Sequence, residues 1–222
     1  MFNKLKAFTM AEVLMVLGII GVVAAITIPN LKDSADEQVY VAKAGKIYSE
    51  METAFSRSSM KYGNVNDWSG IANNTIGTAV GSKMVKYIDG SICGTGANIK
   101  CWADDYTTNK TVDAAYKITL KDGASVAFFN DLTVDNFTGN ALTILVDLDG
   151  SGKGADTLGI DQFYMYVLSS SRLSDGSEAV NATAQPSPTS SDYLGWVLKY
   201  GNEDYMRCAS NLNWYSDNTS CN

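Results

Sequence analysis

Two sets of carboxylates in this chain stand where a carboxylate needs a reason. One is a single residue, Glu12, the only charged side chain in residues 8–28. The other is a loop, Asp147-Leu148-Asp149-Gly150-Ser151-Gly152-Lys153-Gly154-Ala155-Asp156-Thr157-Leu158-Gly159-Ile160-Asp161-Gln162-Phe163. Calcium takes about six to eight oxygen ligands, and alternating carboxylates followed by glycines let a short backbone wrap one ion. Asp147, Asp149, Asp156 and Asp161 are the candidate side-chain ligands, with carbonyls completing the shell. The first half imitates an EF-hand loop, but the twelfth loop position, where a bidentate acid belongs, is Leu158, so an EF-hand does not fit. The competing reading is a solvated acidic turn, because Asp and Gly are simply good loop formers. Magnesium fits less well, since it demands compact octahedral geometry.

Nucleophile and metal chemistry of other kinds finds little to work with. The chain has no histidine, which removes His-based triads, His general bases and His-ligated zinc. Paired acids such as Asp104 and Asp105, or Asp147 and Asp149, sit in Gly-rich polar loops with no apolar pocket to tune them, so no enzymatic activity is expected. The four cysteines, Cys93, Cys101, Cys208 and Cys221, lie in two local pairs. In an exported chain they suggest disulfides, with the sequence-local pairing preferred among three connectivities. A zinc site built from all four cysteines is the rival, but CxxC spacing is absent.

Glu12 lies in the run FTMAEVLMVLGIIGVVAAITI, residues 8–28. As a helix rising about 1.5 Å per residue, the run spans roughly 30 Å, one bilayer hydrocarbon core. A secretory signal peptide places its small-residue cleavage site after the apolar core. Here the small residue, Ala7, precedes it, directly behind Lys4 and Lys6, which hold the N-terminus in the cytoplasm and leave everything beyond Pro29 outside. A carboxylate in such a helix costs ~2.5–3.5 kcal/mol and needs a partner or a function. Cutting after Ala7 would create an amine at Phe8, about one turn from Glu12. Within one helix that pair is poorly aligned, whereas a parallel neighbouring helix shifted along the axis could supply the amine and make the charge a register device.

The stretch Ala7-Phe8-Thr9-Met10-Ala11-Glu12-Val13-Leu14-Met15-Val16, with Gly18, Gly21 and Pro29 beyond it, resembles the prepilin cleavage and methylation motif of type IV pilins and type II secretion pseudopilins. The resemblance implies cleavage between Ala7 and Phe8 by a prepilin peptidase, N-methylation of Phe8, and pairing of Glu12 with the Phe8 amine of an adjacent subunit. The residue before the cut is usually Gly, and Ala7 departs from that. The acidic loop is similar to an Asp-x-Asn-Gly, Pro-Asn, Gly-x-Asp-x-Phe loop of some pilin-like proteins, with Asp149, Ala155 and Asp156 as departures. Calcium-stabilised loops in major pseudopilins imply calcium here by analogy.

The elements that must carry these groups follow from periodicity. Pro29 removes a helix hydrogen bond and is expected to kink the chain. Beyond it Leu31, Ala35, Val39, Ala42, Ile47, Met51, Ala54 and Phe55 form an apolar stripe that predicts an amphipathic half-helix over 30–58. Residues 63–115 read as loop-rich. Residues 116–120 and 125–129 flank Lys121-Asp122-Gly123-Ala124 as a hairpin, and 142–146 and 163–168 read as further strands. Residues 169–192, rich in Ser, Thr, Ala and Pro, read as a flexible loop. The expected fold is α+β: a long N-terminal helix, apolar and membrane-spanning in its first half, packed on a small antiparallel sheet of about four strands, as in pilins. The expected organisation is a leader at 1–7, a transmembrane and polymerisation half-helix at 8–29, and a periplasmic or extracellular head at 30–222.

The net charge of −7 becomes −9 once residues 1–7, with Lys4 and Lys6, are removed. The sequence offers no basic patch with interleaved aromatics to override that, so no direct nucleic-acid binding is expected. The resemblance implies a structural subunit of a type IV pilus or type II secretion pseudopilus. Its partners would be copies of itself or mixed pilins, the prepilin peptidase, the inner membrane, and an assembly platform driven by a cytoplasmic ATPase. The alternatives are a minor or tip pilin acting as a binding module, and a plain signal-anchored extracytoplasmic domain.

Overall fold

The computed structural model describes residues 9–68, 76–94, 114–129, 141–150, 153–154, 156–179 and 187–221, with the backbone alone at 29–34, 94, 114, 115, 141 and 179. The chain divides into two compact units, Met1–Val39 and Tyr40–Asn222, ten residues beyond the boundary expected at Pro29.

The first unit is carried by the opening part of helix α1 (Met10–Tyr62). Thr9-Met10-Ala11-Glu12 starts it as a capping box: the Glu12 N–H donates to Thr9 Oγ1 at 3.2 Å, and the Thr9 N–H donates back to Glu12 Oε2 at 2.8 Å. Helical backbone continues on both sides of Pro29, so the missing donor does not end the helix. Met10–Ile28 is long and apolar enough to cross a membrane, and none of it is buried within the protein. Such a segment suits a membrane anchor or a signal sequence.

The second unit is an α+β domain built on a six-stranded antiparallel sheet in sequential order: β1 (Gly90–Gly94), β2 (Ala114–Leu120), β3 (Ser125–Phe129), β4 (Ala141–Asp147), β5 (Gln162–Leu168) and β6 (Arg172–Ser174). The hairpin turns at Gly123, whose φ of 94° an L side chain rarely adopts. Register then follows from alternation: Val126 and Phe128 of β3 and Leu142, Ile144 and Val146 of β4 join one large core. Ala127, Phe129 and Leu145 point the other way into a small second cluster.

The C-terminal part of α1 lays Ala44, Ile47, Met51, Ala54 and Phe55 into the large core. Ile47, Met51, Ala54 and Phe55 belong to the predicted face, and Ala44 joins them. Ala35, Val39 and Ala42 are exposed, and the side chain of Leu31 lies outside the described ones; Tyr40 and Val41 are the first described residues of α1 packed against the core. The helix also runs to Tyr62 rather than ending near residue 58. Helix α2 (Ile76–Met84) lies in the stretch expected to be loop. Strand β6 and a 3₁₀ turn at Ser177–Ala179 fall inside the expected loop 169–192, of which 180–186 are outside the described residues.

The C-terminal segment closes the domain with helix α3 (Tyr193–Tyr200) and the short helix α4 (Tyr205–Cys208). A disulfide joins Cys208 to Cys221, one of the two local pairs expected. Cys93 is also disulfide-bonded, and Cys101 lies outside the described residues.

Candidate functional site

The β4–β5 connection is the acidic loop. Strand β4 ends in Asp147, which is fully buried; its carboxylate accepts the Gly150 N–H at 2.8 Å and the Gln162 amide at 3.2 Å. At the other end Asp161, also fully buried, accepts the N–H groups of Asp156 at 2.8 Å and Thr157 at 2.7 Å. The two ends are tied by Leu148 N–H to Asp161 C=O at 2.7 Å. The C-terminal segment holds the loop from outside, since Tyr205 donates its hydroxyl to Gly159 C=O at 2.7 Å and its ring stacks on Tyr193 with centroids 4.1 Å apart.

Asp149 lies between these ends. Tyr40 donates its hydroxyl to Asp149 Oδ2 at 3.3 Å, while Asp149 Oδ1 is buried with no partner among the described residues. Beside it, Gly154 has a φ of 67°, and a Cβ there would fall 2.1 Å from Asp149 Oδ2 and 2.7 Å from Asp161 Oδ2. Two carboxylate oxygens therefore converge on the face of Gly154 that only glycine leaves open. Asp156 sits apart from this convergence: its side chain is exposed and its backbone, at φ 46°, serves the loop by donating to Asp161.

The two carboxylates that converge, Asp149 and Asp161, and Asp147 at the end of β4 all offer hard oxygens, the donor type calcium prefers. Among the described residues, no group of three or more His, Cys, Asp or Glu side chains is placed to hold a metal ion. The structure brings Asp149 and Asp161 together at Gly154 and leaves Asp149 Oδ1 buried without a partner among the described residues, short of a three-carboxylate ligand set.

Burial pushes the Asp147 carboxyl up to about 7, with the neighbouring Asp149 carboxylate adding to the rise against the Gln162 amide and the Gly150 N–H. Burial also raises Asp192, at the start of α3, to about 6 against the Thr189 hydrogen bonds. A carboxyl raised above its unfolded value of about 4 favours folding in its protonated form. That stability is complete below pH ~4 and is lost as pH climbs through about 6 and 7. The melting temperature of the full chain in detergent is therefore expected to fall from pH 4 to 7 and level off above. Asp192→Asn removes the lower step. Millimolar calcium, which favours ionised carboxylates, should raise the melting temperature more at pH 8 than at pH 5, and Asp149→Asn should cancel the gain. An equal effect at both pH values would count against ion binding in this loop.

The remaining sequence-level candidates fall elsewhere. Ala7, Phe8 and Cys101 lie outside the described residues, and Pro29 is described by its helical backbone alone. Glu12 already has partners in its own helix, Thr9 N–H and Thr9 Oγ1 at 2.8 and 2.9 Å. The spacing Thr-x-x-Glu carried that signal, and reading Glu12 only as an intramembrane charge missed it.

A basic and aromatic cluster was also missed. Lys61, Lys83 and Lys86 place their Nζ atoms 5.5, 5.6 and 5.4 Å from the Tyr62 ring centre. Lys83 also stands 5.4 Å from the Trp68 ring centre. Lys86 donates to the Tyr62 hydroxyl at 3.0 Å, and this bond, with the charges of Lys61 and Lys86, lowers that phenol below its ordinary range. Among the described residues no carboxylate pairs with any of the three lysines. The end of α1, the end of α2 and the turn after it supply one lysine each, so no run of sequence reveals this cluster.

Comparison with protein-family models, with curated proteins and with solved structures finds no match for the chain.

Proposed function

We propose that this protein is a structural subunit of a type IV pilus or type II secretion pseudopilus, rooted in the inner membrane by α1 before assembly and joined to its neighbours by the same helix afterwards. The observation that supports this most is the exposed apolar stretch Met10–Ile28, continuous with a helix whose other end is built into an antiparallel α+β head. In that arrangement one side of the helix start presents apolar surface to lipid or to other copies, and Glu12 offers the lone charge that a shifted neighbour could answer. The prepilin-like residues Ala7 and Phe8 add processing: removal of 1–7 and methylation of Phe8. Mass spectrometry of the N-terminus from membranes is expected to find a chain beginning at N-methylated Phe8; a chain beginning at Met1 would remove the reading's main support. Calcium in the β4–β5 loop would rigidify the head by adding oxygen–cation contacts among Asp147, Asp149 and Asp161.

One observation favours a second reading, a minor or tip subunit whose head is a binding module. The cluster of Lys61, Lys83 and Lys86 concentrates three positive charges on a protein of net charge −7, which suits capture of an anionic surface or cargo. A Lys83→Glu, Lys86→Glu variant should lose retention of the full chain on a heparin column at about 0.1 M salt, where a Debye length is about 10 Å. Equal retention of the variant and the parent would dismiss that reading.

A further inference from the structure

Two sets of charges in the head have no ion-pair partner among the described residues, and they carry opposite signs. The basic set is Lys61, Lys83 and Lys86, gathered on the Tyr62 ring. The acidic set is Glu52 and Asp175, which line one cleft between α1 and the β6 region. Arg172, the single cation in that lining, is taken by Glu178, and among the described residues no Lys or Arg pairs with Glu52 or Asp175. Ser177 donates its N–H and hydroxyl to Asp175 Oδ1 at 3.0 and 2.7 Å, which fixes that carboxylate in place.

The two sets lie on opposite sides of the head. Lys61 and Glu52 are nine residues apart on α1; at about 3.6 residues per turn that is about two and a half turns, so they leave the helix on opposite sides, about 13.5 Å apart along its axis. On the Lys61 side, Lys46 pairs with Asp122 and Glu50 accepts the Asp89 N–H. On the Glu52 side stand Tyr48 and the β6 residues. The sheet repeats this division: Lys86 lies in the 3₁₀ turn Val85–Tyr87 that leads into β1, Asp175 directly follows β6, and β1 and β6 are the two edge strands. A helix with its side chains is about 10–12 Å across, so the sets stand well beyond the Debye length of about 8 Å at physiological salt. Within one chain they cannot neutralise each other.

We propose that the heads of successive copies meet side to side, Lys61, Lys83 and Lys86 of one chain set against Glu52 and Asp175 of the next. The partner is a second copy because every chain carries the complement of each set on the side away from it. Such a contact is heterologous: the side a copy offers differs from the side it accepts, so each added copy leaves one of each open and the array extends. A two-fold dimer would instead turn a side against itself, lysine to lysine or acid to acid. Gathering three ammonium groups on one ring also costs mutual repulsion, which a neighbour's two carboxylates relieve. The proposal rests on the reading of the chain as a filament subunit and specifies which surfaces of its head touch.

Carbodiimide coupling joins an ammonium to a carboxylate only where the two touch, and it can be applied to the full chain in membranes and in detergent. A ladder of dimers and longer products is expected, with mass spectrometry of its peptides joining Lys61, Lys83 or Lys86 to Glu52 or Asp175. Separation across α1 prevents a single chain from forming the Lys61–Glu52 link by itself. The yield should drop at about 1 M salt, where the Debye length is about 3 Å. Lys86→Glu and Glu52→Lys, both at exposed positions, should each cut the ladder at least about tenfold, because like charges set face to face repel. Combining the two in one chain should restore it, which a folding defect would not allow. Parental filaments that give no such links, or links that survive both single reversals, would overturn the contact and leave the filament reading standing. Links without filaments would support the contact and count against the filament reading. Heparin retention by a parent that gives no links would assign the lysines to anionic cargo and overturn the proposal.

Discussion

On the proposed reading of the chain as a membrane-rooted filament subunit, replacing Glu12 by leucine is expected to abolish filament assembly while leaving the chain in the membrane. Leucine removes a carboxylate that costs ~2.5–3.5 kcal/mol in an apolar helix, so insertion itself should become easier. What is lost is the only charge on α1 before Lys32 and with it the means of fixing one subunit against the next. The capping box supplies a competing account, since Glu12 also satisfies the Thr9 N–H at 2.8 Å. Thr9→Val separates the two, because it breaks the reciprocal cap at a cost of about 1 kcal/mol and keeps the carboxylate. Sheared filaments should be missing in Glu12→Leu and present in Thr9→Val, with both chains in the membrane fraction at parental levels. Filaments from Glu12→Leu, or their loss in both variants alike, would show that Glu12 acts as a helix cap and not as an assembly charge.

Trp196→Ala is expected to destabilise the head by about 3–5 kcal/mol, a large share of the roughly 5–15 kcal/mol that holds a typical domain. Trp196 is fully buried in α3, edge-on to Trp214 at 5.0 Å and tilted against Tyr200 at 4.4 Å. Its indole N–H donates to Asn202 Oδ1 at 3.0 Å, and the Asn202 amide donates on to Thr219 C=O at 3.0 Å. Truncation therefore opens a cavity and removes one of the two N–H groups on Asn202 Oδ1, leaving the Asp204 N–H at 3.2 Å. Urea unfolding should show the midpoint falling at constant slope. Trp196→Phe, which keeps most of the volume and drops only the indole N–H, should lose less than half as much; equal losses would place the effect in the hydrogen bond, not in the packing.

The residues themselves explain which parts of this architecture can be read in one dimension. The apolar run to Ile28 needs no partner to be recognised, because length and hydropathy suffice. The β2–β3 hairpin is equally local: Gly123 supplies the positive φ and the flanking residues alternate, giving the register Ile118↔Val126. Strands β4 and β5 are runs of apolar and aromatic residues long enough to stand out. Strands β1 and β6, of five and three residues, are too short and too rich in Ser and Gly to be told from turns.

Helix α2 fails for a more specific reason. Its sequence, IGTAVGSKM, carries two glycines, which lower helix propensity by up to about 1 kcal/mol each and read as loop. They are there for contact. A Cβ at Gly77 would stand 2.8 Å from the carbonyl oxygens of Phe128 and Phe129, and one at Gly81 would stand 2.6 Å from the Tyr116 ring. The helix approaches the sheet that closely only because those side chains are missing.

Order along the chain was enough to determine the membrane-length apolar helix with its isolated acid, the antiparallel α+β class, the central hairpin and the acidic loop as the place to look for an ion, since each depends on neighbours within a few residues. Tertiary structure alone decided that Asp149 and Asp161 converge at Gly154 while Asp156 turns outward, that Lys61, Lys83 and Lys86 gather on one aromatic ring, and that Glu52 and Asp175 share a cleft. Those groupings arise where elements distant in sequence pack together, and charge or hydrogen-bond complementarity between distant segments leaves no periodic trace in either one.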